Sequence, residues 1–325
     1  MATAALPFTV ANLEQQLSTG LVSGTGYALV AVGFGLIITV TGRFHIAYGA
    51  TYALSAFIAG QTGLSWGMPF WASLVFGVLV AVVIAGLMES LVYWPLNRRL
   101  GAAALMTIFI ASLGLSTAGS NLIALLWNGS GGSVNISGFS VSTVHFLDVF
   151  TTNLAITSFI TGWVALLAVA AVIRYTKLGR MIRAVRVNQR LSLAIGINPR
   201  VVYLMVFALG TALGAVGAVF TAAESTATSD MGSTPILYAI TVSFIAGGAA
   251  PLVVALVAVG VGLLESLSIF VFQPQWSQVV VFAALLIYVL AKVVSENLGA
   301  RRTVKPVTPA STPAGAVEGA SSLCS

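Results

Sequence analysis

The chain has 325 residues, of which 14 are basic and 8 acidic, so that 7% are charged, while 58% are hydrophobic and the mean hydropathy is +1.02. A soluble domain carries roughly 25% charged residues, and a disordered chain needs low hydrophobicity and high charge; both classes are excluded. What remains is an integral membrane protein, and at ~20 apolar residues per crossing helix the length holds about eight or nine helices with loops.

The apolar runs are unbroken rather than alternating at period two, so the spans are helical and not barrel strands. The expected fold is an all-α polytopic membrane helix bundle. Residues 1–19 are expected to form an external N-terminal segment, residues 20–298 the transmembrane domain, and residues 299–325 a disordered cytoplasmic tail. Met1–Gln16 carries no Lys or Arg and so lacks the basic region of a signal peptide, which makes the first helix its own targeting signal.

In chain order the hydrophobic segments are Gly20–Thr41, Phe44–Gly60, Met68–Trp94, Ala102–Trp127, Asn153–Ile173, Val201–Ala223, Ile236–Gly248, Leu252–Phe272 and Ser277–Ser295. The second and the seventh are short for a crossing. Broken or re-entrant backbone is tolerated only where protein or a water-filled cavity surrounds it. Gly20-Leu-Val-Ser-Gly24 and Gly210-Thr-Ala-Leu-Gly214 allow close helix approach, either to pack the bundle or to build a dimer.

Orientation follows from the Lys/Arg asymmetry. The stretch Arg174–Arg200 has seven basic residues and no acid; Arg98 and Arg99 follow the third segment, and Arg301, Arg302 and Lys305 lie in the tail. These regions are expected in the cytoplasm. The loops Asn128–Thr152 and Glu224–Pro235 have no basic residue and are expected outside, which puts the C-terminus inside. Trp66, Trp71, Trp94, Trp127 and Trp276 fall at span ends, where such rings favour the headgroup region. Two Asn-x-Ser triplets, at Asn128 and Asn135, match the glycosylation pattern but arise readily by chance in a Gly/Ser-rich loop.

Chemistry is sparse. The lone cysteine, Cys324, and two histidines, His45 and His145, provide no metal centre. Lys177, Lys292 and Lys305 follow Thr, Ala and Val, so no Gly-Lys-Ser/Thr phosphate loop exists. No catalytic residue, cofactor or nucleic-acid partner is expected, and a membrane enzyme would need a convergent nucleophile, base or metal set that is not seen. Glu89 and Glu265 lie within or near spans, where ionisable groups face the bundle interior. Glu89 is expected to pair structurally near Arg98 and Arg99. Glu265 either receives hydrogen bonds from another helix or stays protonated.

Phe57-Ile-Ala-Gly60 recurs as Phe244-Ile-Ala-Gly247, each in a short segment, and each is followed downstream by Glu-Ser-Leu, at Glu89 and at Glu265. Chance recurrence in low-complexity apolar sequence is one reading. The other is a matched pair of short, Gly-rich segments, which points to the substrate site of a transporter.

Thr41-Gly-Arg-Phe-His-Ile-Ala-Tyr-Gly-Ala-Thr-Tyr52, Glu89-Ser-Leu-Val-Tyr-Trp-Pro-Leu96, Leu178-Gly-Arg-Met-Ile-Arg-Ala-Val185 with Ala194-Ile-Gly-Ile-Asn198, and Gly247-Gly248 with Gly262-Leu-Leu-Glu265 occur in that order. This set resembles the permeases of branched-chain amino acid ABC transporters. The resemblance implies an importer subunit in a bacterial plasma (inner) membrane. Its implied partners are cytoplasmic ATP-binding subunits, a second permease subunit, identical or homologous, an external solute-binding protein and membrane lipid. Lys177, Gly179, Arg180, Arg183, Arg186, Asn188, Arg190 and Gly196 would form the ATPase-coupling loop, with the basic residues on one helical face; simple positive-inside topology is the alternative. His45, Tyr48, Tyr52, Tyr238 and Glu265 are the expected substrate-pathway residues, although His45 also suits a headgroup-facing position. Where the family has Asn, His and Glu in the first motif, this chain has His45, Tyr48 and Ala50. Urea or a short amide is therefore an alternative solute to branched-chain amino acids, and a stand-alone channel or ion-coupled carrier is the alternative class.

Overall fold

In the computed structural model the described residues are 10–101, 104–127, 142–146, 149–271, 273–284, 286–288 and 290–291. They fall into one unit, Met1–Leu285, and a second, Leu286–Ser325, of which the described residues are helical. The sequons at Asn128 and Asn135, the tail 299–325 and Cys324 lie outside the described residues.

Each of the nine expected hydrophobic segments overlaps a helix in its described residues. They are α1 (Val10–Thr41), α2 (Tyr48–Trp66), α3 (Phe70–Met88), α5 (Ala104–Leu126), α6 (Asn153–Tyr175), α9 (Pro199–Glu224), α10 (Ser233–Ala246), α11 (Pro251–Val271) and a helical stretch from residue 277 to 284. Between them lie α4 (Trp94–Leu100), α7 (Lys177–Val187) and α8 (Gln189–Ala194). Among the described residues, six helices are long and apolar enough to cross a membrane; α2, with 19 residues, and α10, with 14, are not among them. Of the two segments expected to be short, only α10 is: α2 runs on past Gly60 to Trp66, and its Gly, Ser, Thr and Gln content rather than its length keeps it out of the six. The first helix begins at Val10, inside the segment 1–19 expected to precede it. An antiparallel hairpin, β1 (Thr143–Phe146) with β2 (Val149–Thr152), was not foreseen.

Helix boundaries have local causes. Thr152 caps α6 by accepting from Ala155 N at 3.2 Å, Asn188 caps α8 by accepting from Arg190 N and Leu191 N, and Asn198 caps α9 ahead of Pro199. The α3 helix widens into a π-helical turn at Glu89–Tyr93. Pro95 follows directly; it has no N–H and its ring would strike the carbonyl four residues back, which the wider turn relieves.

The connections alternate between two ends of the bundle. Gln15 at the start of α1 holds Phe150 of the hairpin through both its backbone N–H and its carbonyl. At the other end Thr39 and Arg186 both lie against Gly248, which follows α10. The second end collects Arg98, Arg99 and the basic helices α7 and α8, and is called the basic end below.

Helix α1 is the centre of the bundle: every residue from Ala28 to Ile37 is buried, and it packs against α6, α7, α9, α10 and α11. Its neighbours approach backbone to backbone at two crossings. A Cβ on Gly24 would lie 2.8 Å from Val259 Cα on α11, and one on Gly33 would overlap the Gly210 carbonyl oxygen on α9. The small-residue motifs thus pack helices of the same chain.

Candidate functional site

The first motif forms the turn between α1 and α2. Gly42 takes a left-handed conformation (φ +69°) and the chain then folds inward. This buries Arg43 and His45, at 2% and 0% exposure. Arg43 Nη1 donates to both carboxylate oxygens of Glu89, at 2.7 and 2.8 Å, and Glu89 is itself fully buried. The Arg43 guanidinium also lies 5.0 Å from the Tyr203 ring of α9. His45 Nδ1 is 2.9 Å from Tyr93 Oη, and Ser112 Oγ of α5 accepts from Ala47 N at 2.9 Å. One turn is thereby pinned to the π-helical segment, to α5 and to α9. The partner of Glu89 is Arg43, not Arg98 or Arg99, which are exposed on α4. The signal was present in the sequence: Arg43 is the one basic residue before Arg98, and a buried carboxylate needs a cation.

Tyr48, expected on the solute path, is packed inside the protein. It enters the space opened by Gly33, Gly210 and Gly214 and donates to the Gly210 carbonyl at 2.9 Å. Neither Tyr48 nor His45 is among the residues lining the cavity described next. Tyr48 fills the slot that the glycines of α1 and α9 leave, whereas His45 is buried against Tyr93 and Phe207.

At the end opposite the basic one, a cavity of about 390 Å³ opens between α1, α2, α6, α9 and the start of α10. Its polar lining includes Tyr27, Tyr52, Ser158, Thr221, Glu224 and Thr234. Tyr52 Oη donates to Thr221 Oγ1 at 2.9 Å, and Ser158 Oγ donates to Glu224 Oε1 at 3.1 Å. Of the expected pathway residues only Tyr52 lines this cavity. Glu224, which closes α9, is the one charged residue among its described lining; it falls just past a predicted span end, where the sequence offers no reason to place it in a cavity. Such a volume is typical of small-molecule sites, and hydroxyls with one carboxylate suit a polar solute bearing a hydrogen-bond-donating or cationic group.

Tyr238 and Glu265 come together as donor and acceptor, Tyr238 Oη donating to Glu265 Oε1 at 2.9 Å. Tyr238 also packs on Tyr27, with ring centroids 4.5 Å apart, and stacks on Phe282. Glu265 thus receives a hydrogen bond from another helix.

The basic loop folds as two helices. On α7, Gly179, Ile182 and Val185 face inward while Lys177, Arg180, Arg183 and Arg186 face outward. A Cβ on Gly179 would overlap the Ile173 carbonyl, so this glycine lets α7 fold back under α6. Arg190 does not continue that face; Asn188 breaks the helix and starts α8. Val187, Leu191 and Ile195 stand 85%, 62% and 66% exposed, and Gly196 turns the chain with φ +84°.

Compared with known proteins, residues 16–290 match the family described as branched-chain amino acid transport system / permease component. The chain belongs to that family. The permease is 28% identical to the high-affinity branched-chain amino acid transport system permease protein LivH of Escherichia coli K12 over 63% of its own length and 69% of the relative's. It is 24% identical to the corresponding protein BraD of Pseudomonas aeruginosa, over 85% and 92%. A fructose import permease protein, FruF of Bifidobacterium longum, is 26% identical over 66% and 56%. No solved structure matches the permease significantly. Family membership and the apolar helices together make it a multi-pass membrane protein.

Proposed function

We propose that this chain is the permease subunit of an ABC importer for branched-chain or related amino acids in a bacterial inner membrane. Its basic end and C-terminus face the cytoplasm. An external solute-binding protein delivers solute to the hydroxyl-lined cavity, and ATP-binding subunits dock on α7 and α8. A second permease subunit, homologous or identical, completes the transmembrane unit.

The observation that carries this reading is the division between the two ends. One end holds a polar cavity whose one charged residue among the described lining is Glu224; the other holds two short helices that expose Lys177, Arg180 and Arg190 together with Val187, Leu191 and Ile195. Exposed Val187, Leu191 and Ile195 beside arginines are costly in water and mark a protein contact. Glu224 also separates the solute alternatives. An amino acid presents an ammonium group to that carboxylate, whereas urea and short amides have no charge to offer.

The test is uptake into proteoliposomes containing the permease with its ATP-binding subunits and binding protein. Leucine accumulation that needs ATP, and that Glu224→Gln slows, supports the reading. Equal uptake without the ATP-binding subunits would place the chain among channels or carriers. Uptake of urea but not leucine would replace the solute.

A further inference from the structure

A second cavity, of about 680 Å³, lies at the basic end between α1, α6, α7 and the turn from α10 to α11. Its inner walls are apolar, including Leu36, Val40, Leu167, Ala170 and Val254, and its rim carries Arg174, Arg183 and Arg186. No acidic residue is among the described residues lining it. Leu167 on α6 and Leu252 on α11 are 52% and 40% exposed, so the groove is open sideways along two membrane-crossing helices.

The arginines are held in place by neutral groups. Arg183 Nη1 donates to the Ile173 carbonyl at 2.7 Å, and Arg186 Nη2 donates to the Gly248 carbonyl at 2.8 Å. The Arg174 guanidinium lies 5.5 Å from the Tyr175 ring. A guanidinium has five N–H donors, so these single bonds fix each head group and leave donors for a ligand. None of these contacts supplies a negative charge.

We propose that this groove binds an anionic phospholipid, with its phosphate between Arg174, Arg183 and Arg186 and an acyl chain along α1 and α6. The combination selects that ligand class. A soluble anion would use the arginines but leave the apolar wall uncovered, and a zwitterionic lipid carries its own cation toward them. Basic pockets between helices on the cytoplasmic side bind such head groups. Because Arg183 and Arg186 lie on α7, the lipid would brace the helix proposed to meet the ATP-binding subunits. The lipid site requires membrane residence and the basic end, not any particular solute.

The experiment is native mass spectrometry and thermal unfolding of the full chain in detergent, titrated with phosphatidylglycerol or phosphatidylcholine. Phosphatidylglycerol is expected to bind at least tenfold tighter and to raise the melting temperature. The variant Arg174→Gln/Arg183→Gln/Arg186→Gln is expected to lose roughly a hundredfold in that affinity, the effect of three basic residues at an anionic surface. Ala171→Trp keeps the arginines and fills the groove, so it tests the acyl site even if the triple variant does not fold; it is expected to weaken lipid binding as well. Equal affinity for the two lipids, unchanged binding in Ala171→Trp, or displacement of the lipid by millimolar inorganic phosphate would overturn the proposal. So would loss of the lipid when the transporter is assembled with its ATP-binding subunits, which would assign the arginines to protein contact.

Discussion

The buried Arg43–Glu89 pair permits a quantitative test of what holds the first motif in place. Both side chains are at most 2% exposed, and one Arg43 nitrogen reaches both carboxylate oxygens. Removing either partner leaves an uncompensated charge out of water, which costs about 3–5 kcal/mol. The neighbouring His45–Tyr93 contact is one hydrogen bond, worth about 1 kcal/mol, so the ion pair dominates this junction. Glu89→Leu alone is the harsher change, because Arg43 Nη2 already lacks a hydrogen-bond partner and the Tyr203 ring face offers the guanidinium only a weak cation–π contact in place of a carboxylate. Replacing both members, as Arg43→Met/Glu89→Leu, removes the desolvation penalty along with the attraction. The double variant is expected to be within about 1 kcal/mol of wild type, since apolar substitutes for buried pairs are often neutral or stabilising. The assay is a double-mutant cycle by SDS-driven or steric-trap unfolding in mixed micelles. If the two single costs simply add in the double variant, or if Glu89→Leu costs under 1 kcal/mol, the pair is not the clamp described here.

Gly33→Val should abolish stable expression, because its Cβ would overlap the Gly210 carbonyl and the Tyr48 hydroxyl, and backbone cannot retreat; Gly86→Ala, with no atom near its added Cβ, should be neutral or up to about 1 kcal/mol more stable, as read by thermal unfolding. Tyr48→Phe loses one hydrogen bond to Gly210 and should cost about 1 kcal/mol in the same measurement. Leu191→Glu/Ile195→Glu should leave the permease folded while lowering ATP hydrolysis stimulated by the binding protein at least tenfold; normal stimulation in the assembled complex would remove α8 from the coupling surface. Glu265→Gln, which can still accept from Tyr238, should melt close to wild type, whereas Glu265→Leu should fall by about 1–3 kcal/mol as the buried hydroxyl loses its partner.

Composition and apolar run length made the bundle legible, down to the short α10, because helices in lipid must satisfy their own backbone and therefore follow the hydrophobic pattern closely; α2 runs longer than expected because Gln61, Thr62 and Ser65 extend the helix without extending the apolar run. Caps and turns at Thr152, Asn188 and Asn198 are local chemistry and were in principle readable too. The site was much less so. Tyr48 looked like a pathway residue because a hydroxyl in a short segment invites that reading, yet its place is decided by glycines 15 and more than 160 positions away in sequence. Glu224 and Ser158 lie on different helices, and no pattern along the chain brings them together. Arg43 was the accessible miss: the need for a cation beside Glu89 could have selected it.

The recurring Phe-Ile-Ala-Gly segment acquires a more definite meaning from the directions of its helices. Helix α2 leaves the basic end and α3 returns to it, whereas α10 runs toward that end and α11 away. The two short-long pairs are thus inverted, and Glu89 and Glu265, at corresponding places in them, fall toward opposite ends of the bundle. The copies are not identical in use. Gly247 ends α10 in a left-handed cap, while α2 continues past Gly60 to Trp66. Glu89 takes a cation and Glu265 a phenol. Helix α1 touches both halves of this arrangement: Val22 to Val30 line the polar cavity and Val32 to Val40 the arginine-rimmed groove. At the Gly33–Gly210 crossing the interior is filled by Tyr48, whose ring meets Phe34 edge-on. The α7 helix rests on both α1 and α9, the two helices that form the crossing. A displacement of α7 therefore bears on that crossing through rigid elements, whereas Glu224, in the polar cavity, lies at the far end of α9.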